Sequence, residues 1–344
     1  MNRRNFIKFS AIATLTPRTF ANTTGETYIK NHALKTIKDD YLGNKIKDNI
    51  FQNPYGKSGQ KSFIDLLGWK FSENPQEGIK ETEQYSLNVI NDKSVLDDKK
   101  DFIYWLGHAS FLIQIDNKKI ITDPCLTSPP FVKRHTKLPI PIENLKPDYI
   151  LATHGHFDHL DGDTVKHFDN SMALIPLGMS ELIKDMNPSI TTQEAGWFQQ
   201  YDIAEDFKVF FLPSHHWHRR TLFDTDKILW GSFIIQSKNK TIYFAGDSAY
   251  SEHFKEIGEL FDIDIAILPI GAYSPDYMMK SSHINPNEAF KAYKDLKAKK
   301  LIPMHFGTFD ISDEPMSEPE FLMKKLSKNI NIQFLDIGEK DLLS

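Results

Sequence analysis

The stretch THGHFDHLDG, residues 153–162, sets His154, His156, Asp158 and His159 within six positions. It follows DYILA (148–152), a short apolar run that reads as a buried strand ending at Ala152 or Thr153. Histidine and aspartate so dense at a strand end are metal-ligand types. One loop rarely completes a site, so further ligands are expected elsewhere. The bland alternative is a polar loop with coincidental histidines.

Other candidates stand at the same kind of place. KVFFLPSHHWH offers His215 and His216 after an apolar run, with His218 close behind. TIYFAGDSAY offers Asp247, and LIPMHFG offers His305. Each polar residue follows a β-type segment, which is how a sheet protein gathers ligands at one rim. Zinc accepts imidazole nitrogen and carboxylate oxygen, usually four ligands, with one place kept for water when it is catalytic. One ion could take His154, His156 and His216, and a second Asp158, His159 and His305, with Asp247 as a bridge. At this level His215 or His218 could replace His216, Asp247 could be a turn aspartate, and His305 could be a core histidine.

Composition narrows the classes. The chain has 344 residues, 40% hydrophobic and 25% charged, which is ordinary globular composition. A net charge of −5 gives no global basic field for nucleic acid. The single cysteine, Cys125, excludes an internal disulfide and a thiolate-based zinc site. No apolar run reaches the roughly 18–20 residues that span a bilayer. The first residues, MNRRNFIKFSAIATLTPRTFA, resemble a twin-arginine export signal ending at Ala21. That implies a periplasmic, folded and often metal-loaded product.

Residues 22–100 are polar with isolated apolar clusters such as FIDLLGWKF (63–71). They read as an extension of helix and loop that packs on a main domain over 101–344 without a complete core of its own. In that domain, DFIYWLGHASFLIQI and KKIITDP read as two strands joined by a hairpin at Asp116-Asn117. Further strands are expected at 172–177, 208–213, 229–236, 241–246, 264–271 and 300–307. Helices are expected at SELIKDM, at 253–261 and at 285–299, the last with Asn285 as N-cap, Pro286 in the first turn and Glu288 at the third position. Strands mixed with helices and hairpins imply α/β layers around a mixed sheet.

Taken together, the HxHxDH loop, the strand-end histidine, the GDS aspartate and the late HFGT histidine resemble the metallo-β-lactamase fold of hydrolases. WLGHASFLI, ITDPCL, PSHHWHRRTLFD, LWGS, LPIGAY and MKSSHINPNEA are similar to the N-acylphosphatidylethanolamine-hydrolysing phospholipase D branch. The likeness runs from FQNPY (51–55) to the C-terminus. It implies a four-layer αββα sandwich, two Zn2+ ions, and the ligands His154, His156, Asp158, His159, His216, Asp247 and His305. His216 is preferred to His215 because it fills the family's His-Trp position. Asp123 in TDP matches a buried aspartate that orients a ligand histidine, and His283 in SSHINP matches a histidine beside the site.

The implied chemistry is hydrolysis of a phosphodiester. Water is activated between the ions and oriented by Asp158 or Asp247, while His283 protonates the leaving group or holds a phosphoryl oxygen. Its position just before a helix N-terminus favours anions. A phospholipid is the expected partner, with peripheral membrane contact; a homodimer is compatible with the reading. The loop PPFVKRHTKLPIP (129–141) and SPDYMMK depart from the animal enzymes, which leaves head-group and chain preference open. The competing readings are a same-fold hydrolase of a lactone, β-lactam or other ester, a non-catalytic metal-binding protein of the envelope, and a diiron redox relative. The HxHxDH loop and the lack of a flavin-binding stretch oppose the last.

Overall fold

The computed structural model describes residues 20–21, 27–56, 59, 61, 63–130, 132–203 and 207–343. The segment read as an export signal, 1–21, lies outside them except for Phe20–Ala21. The strands, in chain order, are β1 (Phe20–Ala21), β2 (Thr27–Ile29), β3 (Lys35–Thr36), β4 (Asn44–Lys47), β5 (Ile50–Phe51), β6 (Phe102–Gly107), β7 (Ser110–Ile115), β8 (Lys118–Thr122) and β9 (Tyr149–Leu151). They continue as β10 (Met172–Pro176), β11 (Thr191–Ala195), β12 (Gln199–Gln200), β13 (Lys208–Leu212), β14 (Ser232–Gln236), β15 (Thr241–Phe244), β16 (Ile265–Pro269), β17 (Lys300–Met304) and β18 (Lys340–Leu342). The helices are α1 (Phe63–Lys70), α2 (Glu77–Thr82), α3 (Gly162–Val165), α4 (Ser180–Met186), α5 (His253–Leu260), α6 (Asp276–Met279), α7 (Pro286–Asp295) and α8 (Glu318–Leu326).

Two seven-stranded sheets carry the molecule, ordered β11-β10-β9-β8-β7-β6-β18 and β17-β16-β15-β14-β13-β12-β3. Each begins as antiparallel hairpins and continues as parallel strands reached by crossovers. Period-two alternation explains the layering. Ile103, Trp105, Phe111, Ile113, Leu151 and Leu174 enter one core together with Phe211, Phe233 and Phe244 of the second sheet and Phe254, Ile257 and Ala292 of α5 and α7. Their neighbours Phe102, Tyr104, Leu112, Ile121, Ile150, Ala173 and Ile175 enter another core with Val165 and Ile183 of α3 and α4. Strands buried on both faces read as continuous apolar runs. The result is the expected αββα sandwich.

Several expectations are corrected in detail. DFIYWLGHASFLIQI is two strands, not one, because Gly107 (φ 106°) and His108 (φ 53°) turn the chain between β6 and β7. The next hairpin lies where expected, with Asp116 and Asn117 both at positive φ, as a two-residue turn matching strand twist requires. Helix α7 has the expected Asn285–Glu288 capping box but ends at Asp295, four residues early. Lys297 at φ 53° swings the chain out so that β17 can pair with β16.

The extension is more than helix and loop. β2, β4 and β5 make a small antiparallel sheet, joined at its edge by β1 from the end of the segment read as an export signal, and β3 pairs with β12 at the edge of the second large sheet. Asn53 Nδ2 donates to the carbonyl of His216 (3.1 Å), so the FQNPY segment touches the strand end that matters most.

Candidate metal centre

Strand ends converge as the sequence predicts. β9 delivers the 154–159 loop, β13 leads to His216, β15 to Asp247 and β17 to His305. Their ligand atoms form two groups of four, His154–His156–His216–Asp247 and His108–Asp158–His159–His305, overlapped by two of three, Asp123–His154–His159 and Asp247–His283–His305, each within 4.8 Å. All seven sequence-predicted ligands are therefore brought together. His283 joins them, with Nδ1 3.6 Å from Asp247 Oδ2. His215 and His218 take no part in these groups. His218 Nδ1 instead accepts from the Gly155 amide (3.1 Å), which braces the loop.

The distances fit metal ligation. In the first group His156 Nδ1 lies 3.0 Å from His154 Nε2 and 3.2 Å from His216 Nε2, and His216 Nε2 is 3.8 Å from Asp247 Oδ2. In the second, Asp158 Oδ2 is 3.6 Å from both His159 Nε2 and His305 Nε2. Asp247 reaches His159 at 3.1 Å through Oδ2 and His305 at 3.1 Å through Oδ1. Tetrahedral ligands about 2.0–2.2 Å from zinc stand about 3.3–3.6 Å from each other, and the observed spacings scatter around that range, from 3.0 to 3.8 Å. Buried His159 Nε2, His305 Nε2 and Asp247 Oδ1 make no hydrogen bond among the described residues despite that closeness. Lone pairs aimed at a common cation do this.

The supporting hydrogen bonds fix the tautomers. Asp123, buried and at φ 34°, accepts at Oδ2 from His159 Nδ1 (2.7 Å) and from Thr153 Oγ1 (2.7 Å). The Thr153 proton is thereby committed, so its oxygen accepts from His154 Nδ1 (2.9 Å). The Ser282 carbonyl accepts from His216 Nδ1 (3.0 Å). In His154, His159 and His216 the proton sits away from the centre and the Nε2 lone pair faces it. Sequence reading gave Asp123 one histidine to orient; it orients two, the second through Thr153, which sequence reading missed.

Electrostatics agree. Burial pushes the Asp247 carboxyl up, but His159, His305 and His283 override it and hold it well below the usual carboxylate range. Burial likewise opposes ionisation of Asp158, and His159 and the hydrogen bond from His108 overcome it. Burial, then crowding by other histidines, keeps His154 and His216 well below an ordinary imidazole and so neutral. Burial opposes a charge on His159 and His305, yet Asp247 and Asp158 raise the first well above an ordinary imidazole and the second to about 9; a divalent cation would supply that positive charge in their stead.

Sequence reading also missed His108, whose Nε2 lies 3.1 Å from Asp158 Oδ2. The signal was available: a Gly-His pair interrupting an apolar run is a turn at a sheet edge. Arg220 was quoted only as part of a motif. Its Nη1 donates to the carbonyls of Gly155 (2.8 Å) and Leu160 (2.6 Å), and its guanidinium covers the Phe157 ring at 4.1 Å.

Comparison with known proteins agrees with this geometry. Residues 118–306 match the sequence pattern of the beta-lactamase superfamily domain. The chain is 34% identical over 327 residues to N-acyl-phosphatidylethanolamine-hydrolyzing phospholipase D 1 of Caenorhabditis elegans, covering 84% of this chain and 91% of that one. It is 33% identical over 242 residues to the mitochondrial N-acyl-phosphatidylethanolamine-hydrolyzing phospholipase D of Saccharomyces cerevisiae, covering 65% of this chain and 51% of that one. Among solved structures it resembles Igni18, a metallo hydrolase of Ignicoccus hospitalis, with a TM-score of 0.56, 20% identity, and coverage of 72% of this chain and 99% of the other.

Proposed function

The chain belongs to the beta-lactamase superfamily, in its N-acylphosphatidylethanolamine-hydrolysing phospholipase D-like branch, and on that premise we propose a two-zinc phosphodiesterase acting on an N-acylphosphatidylethanolamine or a related phospholipid. It is a metal-dependent hydrolase by family. The finer reading adds the metal, its count and the substrate. One observation carries it: two complete groups of His and Asp side chains meet at a single shared carboxylate, Asp247. His154, His156 and His216 hold one ion, Asp158, His159 and His305 the other, and Asp247 serves both.

When bound there, zinc supplies an acidified water and positive charge to offset that growing on the phosphoryl oxygens. The chain's own residues do the rest. Asp158 or Asp247 accepts a hydrogen bond from the attacking water and orients it. The water oxygen joins phosphorus, the bond from phosphorus to the ethanolamine oxygen breaks, and that oxygen takes one proton. His283 faces the site beside Asp247, with Nδ1 3.6 Å from Oδ2, and its ring meets that of His216 edge-on at 5.5 Å between centroids. It is placed to steady a phosphoryl oxygen or to pass that proton.

A lipid substrate also accounts for otherwise awkward surface. Leu222 and Phe223 are 78% and 81% exposed in the loop that follows His218, and Tyr277 is exposed on α6, close in sequence to His283. Adjacent large apolar side chains in water favour a peripheral membrane contact. We place the protein in the periplasm on the strength of Arg3, Arg4 and Lys8.

The test uses the purified chain, its metal content measured per protomer, and N-acylphosphatidylethanolamine presented in vesicles in 18O-labelled water. The expected products are N-acylethanolamine and phosphatidic acid carrying the label on phosphate. Label in a carboxylate instead, or turnover confined to lactones and β-lactams, would reject the phosphodiesterase reading. Fewer than two metals at full activity would reject the dinuclear one.

A further inference from the structure

By distance His108 belongs to the second metal group, yet no place in either coordination set requires it. Its ring could be a ligand, or it could hold a ligand. We infer that His108 is a positioning residue that fixes Asp158 and ties it to the turn bearing His305, so that the second group of ligands assembles as one unit.

The hydrogen bond decides between the two roles. His108 Nε2 meets Asp158 Oδ2 at 3.1 Å with hydrogen-bond geometry. An ionised carboxylate only accepts, so Nε2 carries the proton and has no lone pair for a metal. The backbone of the same residue holds the other partner. Its amide donates to Thr308 Oγ1 (2.8 Å), and its carbonyl accepts from the His305 amide (3.2 Å) and from Trp105 Nε1 (3.0 Å). One residue thus clasps the loop after β9 with its side chain and the turn after β17 with its main chain, joining ligands delivered by different sheets. None of these bonds reaches His154, His156 or His216.

The turn is built to present it. Gly107 and His108 both lie in the left-handed region, and the Arg134 guanidinium is held against the Leu106 carbonyl just beneath. At φ 106° Gly107 holds a backbone conformation that strains any other residue, and a Cβ there would also push on that guanidinium, 2.4 Å away. Left-handed backbone strains a non-glycine residue, and asparagine bears it best. Retention of a histidine in that conformation fits a side chain with a fixed task.

This inference rests on the two-metal reading, and its test separates the two. Apo-protein is titrated with Zn2+ and with Co2+, following bound metal by native mass spectrometry and the cobalt visible spectrum. His108→Asn keeps the left-handed turn but is too short to reach Asp158. It should weaken one metal by about 10–100-fold, the usual effect of removing a partner that orients a ligand, and leave the other unchanged. His108→Gln, which restores a donor at longer reach, should recover part of the loss. Equal affinity for both metals in His108→Asn, or equal loss of both, would overturn the proposal. A variant-free check is the long-range 1H–15N spectrum of zinc-loaded wild type. His108 should appear as the Nε2–H tautomer; an Nε2 bound to metal would make it a ligand and overturn the positioning role. A wild-type chain that binds fewer than two metals fails the underlying reading instead.

Discussion

Asp247 is the residue that touches both candidate metal groups: its Oδ2 stands 3.8 Å from His216 Nε2 of the first, and its two oxygens stand 3.1 Å from His159 and His305 of the second. Asp247→Ala should therefore lose both metals and all turnover together, measured by metal content beside lipid hydrolysis; two metals retained at wild-type affinity would reject its shared role. His283 is the contrasting case. Seven other side chains fill both sets, so His283→Ala should keep fold and metal while kcat drops by about 10²-fold or more, the scale of a missing proton donor. Aryl phosphodiesters, whose leaving group needs no proton, should lose less. Equal losses on both substrates would assign His283 to holding phosphate, and no loss on either would leave it only to brace α7. The seven ligands were legible because each is a polar residue stranded at the end of an apolar run. His108 was hidden inside such a run, and Thr153 acts only through Asp123 and His154, contacts that no spacing along the chain encodes.

Loops, not strands, hold the chemistry, and Arg220 is the brace between two of them. From the segment after His216 it caps two carbonyls of the 155–160 loop and covers Phe157 between His156 and Asp158. Both bonds come from the single Nη1; a lysine ammonium could offer donors there but has no planar group to lie over Phe157. Arg220→Met should cost about 2–3 kcal/mol, the scale of lost hydrogen bonds to a charged group, read as a fall in denaturation midpoint at fixed metal loading. Arg220→Lys should recover less than half of it. Wild-type stability in Arg220→Met would show that the loop stands without the clamp. Among elements, the apolar strands and the Asn285 cap were legible from pattern alone. The edge pairings of β18 with β6 and of β3 with β12 were not, because only these join segments far apart in sequence. β2 to β5 escaped notice since each is only two to four residues long, too short for an alternation to show.

At the scale of the molecule, the basic N-terminus sets the expected destination. Replacing Arg3 and Arg4 with lysine should leave the protein in the cytoplasm, measured by fractionation, because the twin-arginine route reads that pair; normal periplasmic accumulation would refute the export reading. The route carries cargo already folded, which gives a particular weight to β18. That strand, residues 340–342, pairs with β6, the strand leading into the His108 turn, and Lys340 binds Asp98. The first sheet thus waits for residues made some 230 positions after His108. A ribosome still holding those residues in its tunnel holds a first sheet without its β18 edge. On the export reading the chain would therefore complete its fold after release from the ribosome and before it reaches the membrane, and the first metal pool open to the finished site would be that of the cytoplasm.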